Sequence, residues 1–404
     1  MKRTTIVALL TALAAPLMLA AQQPADTTKQ PADTARPAPP PASPPAAAPA
    51  PATVSIPVDF SGVLYANFQY RGDKGPSKSQ NKFDLERAYL TFRMPAGDRA
   101  SIRITADVFQ QTAAPNDAFY KGWVIRAKYA YLQYDYLKSA SWNATARAGL
   151  IHNVVIDHIE GFWPRWISQT AVERAGFFSS ADAGVGTLVT LPNKFGEFYA
   201  TVVNGTGYTS RETDRFKDYS ARLSLTPLAA SSNSIVKTLA LTGWTYIGAV
   251  GSGFTAGGAG QIGPVGNSLP RTRAGVFLGI KDPRLSLGAE WATRKDAKET
   301  GANTLVSPIV EVDSTGRLLS GFAVIKPFQL MSAGSTFPLG LVARFDRFKP
   351  NSDNDSYVNT IIGGLTLDLN KKTALSLDYQ ELTPHNGAIA AATKTYFLHL
   401  VANF

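Results

Sequence analysis

Seven arginines pose the chemical question. Arg87, Arg93, Arg103, Arg147, Arg222, Arg273 and Arg344 each sit in a stretch that alternates polar with apolar residues, and each falls on the polar phase. A guanidinium is a fixed positive charge with a planar fork of N–H donors, so it holds carboxylates and phosphates through paired hydrogen bonds. Repeated along one wetted surface, such groups favour small anions. Asp107, Glu290, Asp346, Asp368 and Asp378 share the polar phase and could pair with some of them, which would stiffen the wall.

A second group is packed into residues 151–182. There Asp157, Glu160, Arg165, Glu173 and Arg174 are interleaved with Ile156, Ile159, Phe162, Trp163, Trp166, Phe177 and Phe178. A solvated loop needs few aromatics, and connections longer than about 15 residues are usually functional or disordered. This one is too apolar for disorder. The expectation is a segment folded inward as a constriction, with Arg165 and Arg174 open to ions and Asp157, Glu160 and Glu173 opposing them. A flap lying outside is the competing reading.

Catalysis has little support. The histidines are His152, His158, His385 and His399, and the cluster Asp157, His158, Glu160 lacks any recognised metal spacing. No Gly-x-Ser-x-Gly nucleophile motif occurs. No catalytic residue, metal or cofactor is expected.

The elements that must position these groups are strands. In 99–109, Ala100, Ile102, Ile104, Ala106 and Val108 share one face, and Ser101, Arg103, Thr105 and Asp107 the other. The same period of two runs through 141–150, 219–226 and 373–381, which is the signature of half-buried β-structure. Here the apolar face is mostly Ala, Leu, Val and Ile with aromatics at the segment ends, as a lipid-facing band with interfacial girdles requires. Strand centres fall near 64, 88, 104, 130, 146, 187, 200, 222, 242, 277, 289, 322, 344, 364, 377 and 399, which makes sixteen. Connections alternate between short turns (near 95–98, 137–140, 192–194, 282–283 and 370–372) and long loops (71–81, 110–122, 151–182, 204–216, 247–271, 295–317, 349–356 and 383–393). An even count with that asymmetry predicts an all-β, transmembrane antiparallel barrel over 58–404.

The ends of the chain agree with export. Lys2 and Arg3 precede an apolar run too short to span a bilayer, so 1–21 reads as a signal peptide. Residues 22–57 hold eleven prolines among alanines and read as a disordered linker, placed in the periplasm. There is no cysteine, so an exported chain of this length needs another source of cohesion, and a closed barrel supplies it. Of the 40 basic and 30 acidic side chains, four and two lie in 1–57, which leaves the barrel region a surplus of eight positive charges. Nucleic acid is not an expected partner, because no recognition motif accompanies the charge. Tyr396, Leu398, Leu400 and Ala402 alternate up to the terminal Phe404, a pattern resembling the signal that barrel-assembly machinery reads.

Several segments resemble the phosphate-selective porins O and P. They are Phe83 to Phe92, Asp98 to Asp107, Arg147-Ala148-Gly149, Glu173-Arg174, Asp182-Ala183-Gly184-Val185 and Val203-Asn204-Gly205-Thr206-Gly207. The likeness covers about 80–210 and implies a sixteen-stranded, usually trimeric, outer-membrane channel that passes anions. Glu86 stands where the family tends to have a second arginine, and Ala181 where an arginine is common. The reading reached is an outer-membrane porin: a water-filled, anion-preferring channel for passive uptake of small anions, phosphate or related oxyanions among them. A structural or adhesive barrel with a plugged lumen is the competitor, and an outer-membrane hydrolase follows it.

Overall fold

The computed structural model describes residues 57–73, 77–111, 122–254, 260–264, 266–332, 334–388 and 390–404. The signal peptide and nearly all of the linker lie outside the described residues. The first eight strands are β1 (Asp59–Arg71), β2 (Asn81–Pro95), β3 (Ala100–Gln110), β4 (Trp123–Lys138), β5 (Asn143–His152), β6 (Ala181–Thr190), β7 (Gly196–Val203) and β8 (Asp218–Leu225). The other eight are β9 (Ala240–Gly251), β10 (Ser268–Asp282), β11 (Leu285–Thr300), β12 (Val310–Ile325), β13 (Leu339–Lys349), β14 (Tyr357–Asp368), β15 (Thr373–His385) and β16 (Thr393–Asn403).

Each strand pairs antiparallel with its sequence neighbour, and β1 pairs with β16, so the sheet is a closed barrel of sixteen strands. All sixteen centres expected from the sequence fall inside these strands. The seam is fastened at the chain end. The Gly62 and Phe404 amides each donate to the other's carbonyl at 3.0 Å, and the Phe404 ring lies where a Cβ on Gly62 would be.

The wall is apolar outside and polar inside. Along β8, Asp218, Ser220, Arg222 and Ser224 are buried inward while Tyr219 and Leu223 are exposed outward. Ile104, Leu132, Val276, Leu319, Leu365 and Leu398 continue the outward belt, flanked by Phe92, Tyr134, Trp142, Phe195 and Tyr396. A protein in water would bury these side chains. In a barrel facing hydrocarbon they are the solvent-matched surface.

Two boundaries differ from expectation. The loops expected over 247–271 and 295–317 are shorter, because β9 and β10 stay paired out to Gly251 and Ser268, and β11 and β12 to Thr300 and Val310. Residues beyond the apolar belt lack alternation, yet a backbone ladder, once in register, continues whatever the side chains are.

Candidate functional site: a loop inside the barrel and the wall it faces

Residues 153–180 fold into the barrel. Gly149 makes the entry, with φ of 124° and no room for a Cβ against the Ala130 carbonyl, and after it both Ile151 and His152 are buried. A short helix, α1 (Ile156–Glu160), follows, and just ahead of it Asn153 Oδ1 accepts from the amides of Val155 at 2.8 Å and Ile156 at 3.3 Å. A second, α2 (Ala171–Arg174), begins at Thr170, whose hydroxyl accepts from the Glu173 amide.

The loop's apolar side chains rest on an apolar inner bed. Ile156, Ile159, Val172 and Phe177 pack on Tyr199 of β7, Trp244 of β9, Phe277 of β10 and Leu318 of β12. Trp163 and Ile167 pack on Val342 of β13 and Ile362 of β14. Trp163 and Phe177 are 1% and 0% exposed, and each such burial contributes roughly 1.5–3 kcal/mol. Wall side chains also donate to the loop backbone. Ser286 reaches the Phe162 carbonyl at 2.7 Å, Gln380 that of Ile167 at 3.0 Å, Arg344 that of Gln169 at 2.6 Å and Arg294 that of Ala175 at 2.9 Å. Arg273 donates to the Phe177 carbonyl.

The seven arginines all turn inward, in two different settings. Arg344 pairs with Asp346 at 2.6 Å, Arg222 with Glu197 at 2.6 Å, Arg273 with Asp296 at 3.1 Å, Arg87 with Asp107 at 3.1 Å and Arg93 with Asp59 at 3.7 Å. Arg103 and Arg147 form no ion pair among the described residues. Of the carboxylates expected to pair with arginine, Asp368 is taken by Lys326 and Asp378 lies beside His399, while Glu290 is buried without an ion pair among the described residues. Arg344 and Asp346 are two residues apart on β13, whereas neighbouring-strand register, which periodicity does not reveal, decides the pairs of Arg87, Arg222 and Arg273.

Two bulges add groups that alternation misses. On β2 the pairing skips Glu86, and on β4 it skips Lys128, so each extra residue turns inward beside its inward neighbour. Lys128 and Tyr129 are consequently both buried. Lys128 and Arg126 of β4 join Arg87, Arg103 and Arg147 on the inner face of β2–β5.

The loop's own charges are arranged as follows. Arg165 is enclosed by Glu86 at 3.1 Å, Glu160 at 3.4 Å and Glu173 at 3.7 Å, and those three carboxylates hold its proton still more tightly than usual. Burial, with Asp157 next, pushes the Glu160 carboxyl up to about 7. Burial and the nearby Arg344 bring Arg174 down to about 10. Asp157 accepts from the Tyr129 hydroxyl at 2.9 Å and touches His152.

His158 sits among Ser224, Thr242, Arg222 and Glu197, a set that invites comparison with a hydrolytic triad. Its Nδ1 is 2.7 Å from Arg222 Nη1, and its Nε2 is 2.9 Å from Thr242 Oγ1. Arginine can only donate, so Nδ1 is the acceptor and the neutral ring carries its proton on Nε2, pointing at the hydroxyls. A ring in that state cannot take a proton from Ser224 or Thr242, and burial lowers its pKa further. Among the described residues no three His, Cys, Asp or Glu side chains group to hold a metal.

Two cavities flank this arrangement. One of about 540 Å³ lies toward the long loops, lined by His152, Phe178, Asp218, Tyr246, Arg271 and Arg273. The other, about 530 Å³, lies toward the short turns, lined by Arg93, Arg103, Tyr131 and Gln133.

A closed sixteen-stranded barrel with a long loop tucked into it is the fold of the outer-membrane porins. Solved structures of that fold match over nearly their whole length. Salmonella typhi OmpF in complex with daunomycin gives a TM-score of 0.58 at 12% identity, over 86% of this chain and 97% of that one. The anion-selective porin from Comamonas acidovorans gives 0.54 at 12%, over 87% and 100%. The outer membrane channel DcaP of Acinetobacter baumannii gives 0.55 at 12%, over 87% and 99%. At such identity the likeness is one of fold. No protein-family model matches the sequence, and no curated protein matches it either.

Proposed function

We propose that this chain is an outer-membrane channel through which small anions diffuse passively. The observation that carries the reading is the inner face of β2–β5, where Arg87, Arg103, Arg126, Lys128 and Arg147 have, among the described residues, a single carboxylate, Asp107, within 4.0 Å. Fixed charges on a low-dielectric wall concentrate counter-ions along the passage. The barrel's surplus of eight positive charges acts in the same direction. Phosphate or a related oxyanion is the solute to which the resemblance with the phosphate-selective porins points, and the anion-selective Comamonas porin shares the fold.

On this reading residues 1–21 direct export, 22–57 lie in the periplasm, and the barrel sits in outer-membrane lipid as a homotrimer. Phe404, closing the seam against Gly62, is the residue for assembly machinery to recognise. The docked loop narrows the lumen. A competing reading, a plugged barrel of structural use, draws on the loop's contacts with opposite sides of the wall, Glu86 on β2 and Arg273 on β10.

The test is the reversal potential of the purified chain in a planar bilayer under a salt gradient. Anion preference is expected, weakening as salt shortens the screening length from about 10 Å at 0.1 M to about 3 Å at 1 M. Replacing Arg87, Arg103 and Arg147 together by Glu should move it toward cations. Absence of conductance would favour the plug, and cation preference of the unmodified protein at low salt would end the anion reading.

A further inference from the structure

The uncompensated arginines meet at one imidazole. Arg103 Nη1 is 3.0 Å from His152 Nε2, and Arg147 Nη1 is 3.5 Å from His152 Nδ1. The Asp157 carboxylate is also 3.0 Å from Nε2, and the Tyr129 hydroxyl holds it from the other side. One ring nitrogen thus faces a group that can only donate and a group that can only accept, and no single proton placement suits both.

Counting the contacts identifies the donor left over. With the proton on Nδ1, the ring accepts from Arg103 but opposes both Asp157 and Arg147. With the proton on Nε2, it donates to Asp157 and accepts from Arg147, and only Arg103 Nη1 is left facing another donor. The second arrangement satisfies two partners of three. Arg103 is otherwise tied through Nε to Thr105 Oγ1 at 3.1 Å, and its plane lies 4.7 Å over the Tyr129 ring, so Nη1 cannot readily swing away. Arg147 is fixed in a similar way, with Nε on Gln133 Oε1 at 3.1 Å and its guanidinium 5.4 Å from the Tyr131 ring. Among the described residues, Arg103 Nη1 has no acceptor in this corner.

The corner also lies on the route. Arg103 lines the cavity toward the short turns, and His152 lines the one toward the long loops.

We propose that Arg103 and Arg147 form one binding station for an oxyanion between the two cavities, and that His152 is the positioning residue that sets both forks. This rests on the channel reading above and names the site within it. An oxyanion supplies the acceptor that Arg103 Nη1 lacks, while His152 keeps its bonds to Asp157 and Arg147. Phosphate and carboxylate share that chemistry.

The experiment measures single-channel chloride current of the full chain as inorganic phosphate or, separately, acetate is added at fixed alkaline pH. Wild type should show saturable block by at least one probe. Block by phosphate alone assigns a tetrahedral ligand, and block by both assigns oxyanions generally. His152→Ala should raise the half-blocking concentration about tenfold, and His152→Gln, which can donate and accept at once, should recover most of the loss. Should His152→Ala not assemble, Arg147→Lys keeps the charge but loses the fork, and the same rise is expected. A half-blocking concentration unchanged in His152→Ala or Arg147→Lys overturns the proposal. So does a conducting, anion-preferring wild type that neither probe blocks, and the channel reading then still stands. A chain without conductance would instead remove that reading.

Discussion

The barrel wall has two faces that use the same residue type for opposite ends. On β9–β14 the inward side chains include Trp244, Phe277, Leu318, Val342 and Ile362, and Arg273, Arg294 and Arg344 are matched there to carboxylates and loop carbonyls. On β2–β5 the inward side chains include Arg103, Lys128 and Arg147, which lie against Tyr129, Tyr89 and Tyr131 rather than against acids. The first face is an apolar bed that holds the loop, and the second meets the loop through polar contacts, Asp157 with Tyr129 and Arg165 with Glu86. An arginine's job here is decided by whether a carboxylate stands within reach, on its own strand for Arg344 and one strand away for Arg273.

Deleting the loop between Val154 and Phe178 should blur the contrast most. Both faces would then meet water, and single-channel conductance should rise several-fold in a barrel that still migrates as heat-modifiable. An unchanged conductance would mean that the loop does not occupy the path.

Removing one arginine from the bed sharpens it. Arg344 and Asp346 have side chains only 1% and 6% exposed, so Arg344→Ala strands a buried carboxylate and frees the Gln169 carbonyl. The expected cost is about 3–5 kcal/mol of barrel stability by denaturant melting, with little change in ion preference. A selectivity change without a stability loss would make the two faces alike.

A smaller effect comes with pH. Glu160 is raised from 4.5 to about 7, chiefly by burial, so the folded loop binds that proton more tightly than the unfolded chain does. The stability this contributes is complete below about 4.5 and is lost as pH climbs through about 7. Its negative charge disappears in the same window on acidification. Anion preference should therefore be greater at about pH 6 than at about pH 8, one unit either side of that value. Glu160→Gln should flatten the profile, and a profile unchanged in that variant would assign the titration elsewhere.

The smallest effect belongs to Glu86→Gln. Arg165 keeps Glu160 and Glu173, and the amide oxygen still accepts, so the loss is about 1 kcal/mol. It should appear as added noise in the open-channel current, from a loop tip held less firmly to β2.

Much of this was legible in the chain itself. Strand number and position follow from a period of two, which is local and repeats sixteen times, so small errors do not accumulate. The inward phase of the seven arginines came with it, as did the aromatic loop. Lys128 and Glu86 were not legible as inward pairs, because a bulge shifts the phase by one residue and alternation cannot reveal where. Phe277, Leu318, Val342 and Ile362 left a faint signal, large apolar residues on the phase that should be wet, which is how a strand covered on both faces reads.

What the sequence alone determined was the barrel and the sign of its charge, since both depend on the kind of residue at each position. Which arginines are neutralised, where the loop lies and which imidazole joins Arg103 to Arg147 were decided only by tertiary structure. Those depend on partners far along the chain, 49 residues apart for Arg103 and His152 and 175 for Arg344 and Gln169, brought together by sheet register and by packing across the lumen.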